Sequence, residues 1–410
     1  MRHCILRVGL IFIIAVGFVS PSRADWNEVI QAKRHKILFL GDSNTYSGLY
    51  IAYVDGYLRT RFPSEPWHLI NLGLPSETLS GLSEADHPYP RPDIHERIDQ
   101  ALAKTKPNLV FVCYGMNDGI YSPFTADRFA KYSDGVEKLI AKIEKAGAKA
   151  ILMTPSPFDG APVAKNLLPK DAPKHSWMKP YEKYDAEVLR KYSDYLLEWR
   201  KKGYVVVDAH AAVHRFLKAM RATNPKYAVS GDGIHPNPTG HAVIAFEILH
   251  EMKSPAEANN LTVSAKSEKR TIDWRMKHSM PADLRWDKNL AAIEKYTDRF
   301  NRQTLKVTEL PPGKYTVSEG KRSLGTFSHE QLAGGVDLTA QLPDPHAEKI
   351  GHLLRKKHQL LGLAWLTDVG YRRPGTPKGL PLAEAMKQAA KLDAELARIP
   401  ALVREISVGP

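Results

Sequence analysis

The stretch KILFLGDSNTYSGLY, residues 36–50, passes from an apolar run directly into Gly-Asp-Ser-Asn and then a second glycine. From Ile37 to Leu40 every residue is apolar, the pattern of a strand covered on both faces of a parallel sheet rather than one alternating between core and water. Comparable runs recur at His68 to Leu72, Leu109 to Tyr114, Ala150 to Met153 and Tyr204 to Val207. Helical stretches fill the gaps over Ile94 to Ala103, Ala126 to Ala146 and Tyr181 to Lys201. This βαβ rhythm predicts a three-layer α/β/α sandwich around a parallel five-stranded sheet. In such sheets ligands bind beyond the carboxyl ends of the strands. The loops that gather there are Gly41 to Asn44, Asn71 to Gly73, Tyr114 to Asp118 and a long one from Pro155 to Pro180.

The 410 residues, 43% apolar and 25% charged, suffice for one large domain with an appendage or for two domains. Residues 1–24 read as a cleaved export signal. Arg2 and Arg7 precede an apolar run from Val8 to Val19, and Ser22-Arg23-Ala24 is a small-x-small cleavage site. The apolar run is short of the roughly 20 residues a spanning helix needs, so no stable membrane insertion is expected after cleavage near Ala24. The expected location is periplasmic or extracellular. Removing the signal also removes Cys4, leaving Cys113 without an internal disulfide partner, and lowers the formal charge from +13 to +10. The basic residues are interspersed in short clusters such as Lys33, Arg34 and Lys36, the pattern of solvated faces, and no nucleic-acid partner is expected.

Beyond about Ser254 the strand–helix rhythm stops. Residues 305–327 alternate around Pro311-Pro312-Gly313 and Glu319-Gly320-Lys321, which predicts a small β-meander. Amphipathic helices are predicted over Ala347 to Trp365 and over Leu382 to Leu402, the latter with Leu382, Met386, Ala389, Leu392, Leu396 and Ile399 on one face. The expected division is a catalytic domain at 25–253 and a C-terminal extension at 254–410.

Ser43 stands at the mouth of the first strand, and the segment SGDGIHPNPTGH (230–241) supplies partners for it. A serine hydroxyl needs an imidazole to take its proton, and the imidazole needs an acceptor to fix its tautomer. Ser43 is the expected nucleophile, His235 the base and then the acid, and Asp232 the group that orients His235. The oxyanion of an acyl-transfer intermediate needs donors, assigned here to the Ser43 and Gly73 amides and the Asn117 side chain.

In these blocks the sequence resembles the SGNH hydrolases, or GDSL-type esterases and lipases: Gly41-Asp42-Ser43, Gly73, Gly115-Met116-Asn117-Asp118, and Asp232-Gly-Ile-His235-Pro stand in order. The resemblance covers roughly residues 35–253. It implies a flavodoxin-like sandwich with a shallow open site, and cofactor-free ester hydrolysis with serine, glycine and asparagine forming the oxyanion hole. The loop sequence from GLPSETLSGLSE to RPDIHERID is similar to that of secreted bacterial members, especially of planctomycete type. Asn44 departs from the Leu or Ile common after the serine, and is read as tolerated.

Other features are weighed against ordinary packing. His210 and His214 share a helical face, but the sequence offers no third metal ligand nearby, so no metal is expected. Cys113 and His241 read as packing residues, and Asp42 and Asp118 as loop braces. Tyr89, Arg91, Trp177 and Tyr181 are the candidate substrate contacts. Polar and aromatic loops favour a carbohydrate deacetylase. A lipase, thioesterase or lysophospholipase, or a polysaccharide O-acyltransferase, are the alternatives, and an intact Ser43, Gly73, Asn117, Asp232 and His235 set argues against a non-catalytic carbohydrate-binding protein. The oligomeric state is left open.

Overall fold

The computed structural model describes residues 25–265 and 271–410. The export signal read at 1–24 therefore lies outside the described residues.

Helix α1 (Trp26–Gln31) leads into β1 (Lys36–Gly41), the one-turn helix α2 (Ser43–Tyr46) and α3 (Leu49–Arg61). β2 (His68–Asn71), α4 (Ile98–Thr105), β3 (Leu109–Cys113), α5 (Ala126–Lys145), β4 (Lys149–Met153), α6 (Arg190–Glu198), β5 (Val206–Val207), α7 (Ala209–Arg221) and α8 (Pro238–Glu251) complete the α/β part. The sheet order is β2-β1-β3-β4-β5 and every pairing is parallel. This is the order of flavodoxin-like sheets, whose direction of winding reverses between β1 and β3 and opens a crevice there. One core, including Phe39, Phe111, Val213 and Phe246, lies between the sheet and α1, α3, α7 and α8. The other, including Leu38, Val112, Leu139 and Leu196, lies under α4, α5 and α6.

Several boundaries differ from those the sequence predicts. The helix expected from Ile94 breaks at Arg97 into a 3₁₀ turn (Ile94–Glu96) and α4. The one expected over Tyr181 to Lys201 is divided into a π turn (Asp185–Leu189), α6 and a 3₁₀ turn (Trp199–Lys202). Helix α3 was not anticipated. It is buried from Tyr50 to Leu58 without a break, so its residues show no polar face to mark a helical period.

The C-terminal part contains β6 (Glu257–Ser264), β7 (Thr271–Met276), α9 (Leu290–Ile293), α10 (Tyr296–Phe300), β8 (Arg302–Thr308), β9 (Lys314–Glu319), β10 (Arg322–Ser328), α11 (His329–Gly334), β11 (Val336–Asp337), α12 (Ala347–Val369), α13 (Leu382–Ala397) and β12 (Leu402–Gly409). The expected single meander is overturned. β8 pairs with β6 and β11, whereas the β9–β10 hairpin joins β12 and β7 in a separate sheet. The second predicted helix stops at Ala397, three residues before Pro400, which cannot donate to a continuing helix. Its buried face is Ala385, Ala389 and Leu392, while Met386 is exposed.

These elements are built into the α/β part rather than hung from it. Met280, Leu290, Tyr296 and Phe300 share the core of α3 and α8. Leu366 and Val369 of α12 enter the opposite core. His358 Nε2 lies 2.9 Å from Asp55 Oδ2, and the Tyr53 hydroxyl donates to Asp283 (2.8 Å).

Candidate active site

Strand β1 ends at Gly41, where a Cβ would meet Thr45 Oγ1 at 2.0 Å and the Cys113 carbonyl at 2.6 Å. Glycine lets the chain turn tightly there, and Asp42 caps the new helix by accepting the Asn44 N–H at 2.9 Å. Ser43 thus becomes the first residue of α2, at the mouth of the β1–β3 crevice. Its amide donates to no group among the described residues.

The loop ahead of α8 brings the two partners. His235 Nε2 lies 2.8 Å from Ser43 Oγ, and His235 Nδ1 lies 2.6 Å from Asp232 Oδ2. The other Asp232 oxygen accepts from the Ser230 hydroxyl (2.9 Å) and from the Ile234 (2.9 Å) and His235 (2.8 Å) amides, so the carboxylate cannot swing away. Asn44, read as merely tolerated, has a mechanical part. Its Nδ2 donates to the Ser156 hydroxyl (3.0 Å) and the Ile234 carbonyl (3.3 Å), tying the Ser43 turn to the His235 loop.

Electrostatics follow the same geometry. Burial lowers the pKa of His235, but the hydrogen bond and charge of Asp232, with Asp42 behind, outweigh it and hold the imidazole above its ordinary value. Burial raises Asp232, yet the bonds from the His235 ring and the two amides hold it well below the usual carboxylate range. Asp42 and Asp118, both buried, are pushed up to about 6 by desolvation, partly countered by the backbone amides they accept from.

Asn117 is aimed by two contacts. Its Oδ1 accepts the Tyr121 hydroxyl (2.9 Å), which assigns the amide orientation, and its Nδ2 spends one hydrogen on the Glu77 carbonyl (3.2 Å). The second hydrogen is left over on a residue lining the cleft. The backbone donor assigned to Gly73 is a correction. The Gly73 amide donates to Asn71 Oδ1 (2.8 Å), and Gly73 lines a different cavity. Its glycine is required by packing, because a Cβ would meet Tyr46 N at 2.2 Å. Directly after it, Leu74 to Glu77 forms a turn closed by Glu77 N–H to Leu74 O (3.2 Å), with Pro75 and then Ser76 at φ +68°. This is a type II turn with serine where glycine is favoured. Ser76 lines the cleft beside Ser43 and Asn117, and its amide has no acceptor among the described residues.

The cleft over Ser43 holds about 210 Å³ and is lined by Ser76, Tyr89, Arg91, Asn117, Tyr121, Trp177, His235 and Arg373, among others. Tyr89 and half-exposed Trp177 are where the sequence reading put them. Arg91 lines the cleft, but its guanidinium is held by both Glu84 oxygens (2.6 and 2.7 Å) and lies over the Tyr121 ring. Tyr181 does not line it. Its ring is buried, its hydroxyl donates to Glu187 (2.7 Å) and its amide to the Tyr121 carbonyl (2.9 Å), so it is a brace. Arg373, from the turn after α12, was missed, since nothing in its local sequence points to a site 138 residues after His235. It stacks on Tyr89, and among the described residues its Nη1 reaches only the Pro374 carbonyl and Thr376 and its buried Nε has no acceptor. A larger cavity of about 750 Å³ lies between α3 and α12, away from Ser43.

His241, buried on Tyr50 and 3.0 Å from Ser47, is a packing residue, and Cys113 is buried in β3. The expectation of no third ligand beside His210 and His214 does not hold: Asp185 is there, and the three ligand atoms lie within 4.8 Å of one another.

The GDSL-like Lipase/Acylhydrolase family model matches residues 39–243, half of the chain. An acetylxylan esterase of Geobacillus stearothermophilus is 23% identical over 238 residues, which span 53% of this chain and 93% of that protein. Among solved structures, a gut microbial diltiazem-metabolizing enzyme is 18% identical with a TM-score of 0.63, covering 95% of this chain and 98% of the other. The fold likeness thus runs through the C-terminal elements. The structure of Axe2, an acetylxylan esterase from Geobacillus stearothermophilus, is 21% identical over 58% of this chain and 98% of its own, with a TM-score of 0.39.

Proposed function

The chain belongs to the GDSL-like lipase/acylhydrolase family and is a serine carboxylic ester hydrolase, and we propose that it removes acetyl groups from a carbohydrate through a seryl-acyl intermediate on Ser43. The observation that carries this reading is the continuous hydrogen-bond run Asp232–His235–Ser43 opening beside unclaimed N–H donors. His235 Nε2 takes the Ser43 proton as Oγ attacks the ester carbonyl carbon. The developing oxyanion is held by the Ser43 and Ser76 amides and the free hydrogen of Asn117. Collapse breaks the bond to the sugar oxygen, which leaves with the proton from His235. Water, deprotonated by the same imidazole, then releases acetate and restores Ser43.

Three features support the acetyl and carbohydrate parts. A 210 Å³ cleft suits a short acyl group. Tyr89 and Trp177 offer faces for sugar rings, and Arg373 a donor fork for hydroxyls or a uronate carboxylate. The curated relative is itself named an acetylxylan esterase. Export is part of the same proposal, with Asp25 as the first residue of the exported protein; a retained Met1 by intact mass would remove that part.

The test compares acetyl with octanoyl esters and measures acetate release from acetylated glycans. Acetyl esters are expected to be hydrolysed faster, at least one glycan to release acetate, and Ser43→Ala to lose on the order of 10⁶ in turnover. Preference for eight or more carbons would return the lipase reading. Acetyl transfer to an added sugar outpacing hydrolysis would favour an O-acyltransferase.

A further inference from the structure

We propose that Asp185, His210 and His214 form a binding site for a zinc-class divalent cation, which fastens the wall of the active site and takes no part in ester chemistry.

His210 and His214 stand one turn apart in the first half of α7, with ring centroids 4.6 Å apart. Their Nε2 atoms converge on one carboxylate, His210 at 3.2 Å from Asp185 Oδ1 and His214 at 2.8 Å from Oδ2. Tetrahedral zinc, with bonds of about 2.0–2.2 Å, sets its ligand atoms roughly 3.3 Å apart, so only small side-chain adjustments would admit an ion. Two imidazoles and one carboxylate suit zinc and its neighbours cobalt and nickel, and not calcium or magnesium, which require oxygen ligands. His210 is buried and Asp185 mostly so, while His214 is 47% exposed, which leaves an entry path and an open position for water.

Two independent features show that the carboxylate is deliberately aimed. Asp185 begins a π turn, an uncommon irregularity frequent at functional positions. Its Oδ1 also accepts the Phe158 N–H at 2.8 Å, the kind of outer contact that orients metal ligands.

Phe158 connects this cluster to the catalytic loop. The next amide, Asp159, donates to the Gly233 carbonyl (2.9 Å), between Asp232 and His235, and Ser156 of the same segment accepts from Asn44. An ion at Asp185 would join α7, the π turn and this segment into one rigid support behind the triad.

The experiment uses the exported chain without a histidine tag, stripped with EDTA and dialysed. Titration calorimetry with zinc is expected to show one equivalent bound, and a zinc concentration of about a hundred Kd to raise Tm by on the order of 3 °C. Cobalt should give the intense visible absorption of a tetrahedral site. His214→Ala, at a half-exposed helix position, and Asp185→Asn should each weaken zinc at least tenfold and abolish the cobalt band, with unchanged far-UV circular dichroism. Should wild-type protein take up no zinc, or His214→Ala bind as tightly as wild type, the site does not exist. Because the wild-type titration is decisive alone, a variant that folds poorly does not shield the proposal.

Discussion

Asp42 does two things through one carboxyl group. It caps α2 under Ser43, and its charge is one of the influences holding His235 above its ordinary pKa. In the proposed mechanism neutral His235 accepts the Ser43 proton, so kcat/KM should fall on the acid side through a pKa above the usual 6.5 of histidine. Asn caps a helix as well as Asp does, so Asp42→Asn should keep the turn, remove the negative charge and move that acid limb to lower pH. The variant also has a stability signature. With its pKa raised to about 6 by burial, Asp42 contributes most to the fold when protonated, below about pH 4, and loses that contribution as pH rises through 6. Asp42→Asn is therefore expected to be more stable than wild type at pH 8, by on the order of 2 kcal/mol, with the two converging toward pH 4. Urea denaturation at both pH values, together with a pH–rate profile, measures this. An unmoved acid limb would remove Asp42 from the electrostatics of the base.

The loops that follow β1, β2 and β3 carry the proposed oxyanion donors, and those after β2 and β3 do so in uncommon backbone conformations. Ser76, Ile120 and Tyr121 all have positive φ without being glycine (+68°, +45° and +55°), held by the turn at Leu74 to Glu77 and by the bonds around Asn117. Asn117→Ala should lower kcat by roughly 10²–10³ with little change in KM, because its free hydrogen acts on the oxyanion. Ser76→Gly keeps the amide and relieves the strain, so turnover should stay within a few-fold and Tm should not fall. A loss as large as that of Asn117→Ala would mean that the Ser76 side chain, not its amide, serves the site. These loops also mark where sequence reading succeeds and fails. Five parallel strands are legible because burial on both faces leaves the centre of each apolar, and the proposed triad because its residue types have few other uses in that order. The sequence points to Gly73 because glycine suits a close approach, and it gives no sign of Ser76, since φ is not written in a side chain. The local signal was Pro75, which sets up a turn with positive φ at the following residue. Helix α3 was hidden by burial on all sides. The third residue beside His210 and His214 is hidden because Asp185 lies 25 and 29 residues before them, and tertiary packing rather than a sequence interval brings it there.

At the scale of the whole molecule, the elements after Ser254 complete both the core and the cleft. They supply Met280, Leu290, Tyr296 and Phe300 to one side of the sheet and Leu366 and Val369 to the other. A chain ending at Lys253 would expose apolar faces of α3 and α8, so the α/β part is expected to be insoluble or unfolded when made alone. The same elements carry Arg373 to the cleft. Its charge differs from that of Arg91: the latter is neutralised by Glu84, whereas Arg373 makes no ion pair among the described residues and keeps a buried Nε without an acceptor. A guanidinium stacked on Tyr89 at the mouth of a catalytic cleft favours a substrate bearing a carboxylate, since a charge-assisted pair is stronger than a bond to a neutral hydroxyl. Arg373→Gln should therefore raise KM on an acetylated glycan containing uronic acid by about tenfold, and only slightly on neutral acetylated xylan or a small acetyl ester, with kcat unchanged on all three. Salt should weaken the wild-type preference for the acidic glycan and leave the variant indifferent. An equal rise in KM on all substrates would mean that Arg373 only props Tyr89 and that the cleft does not read charge.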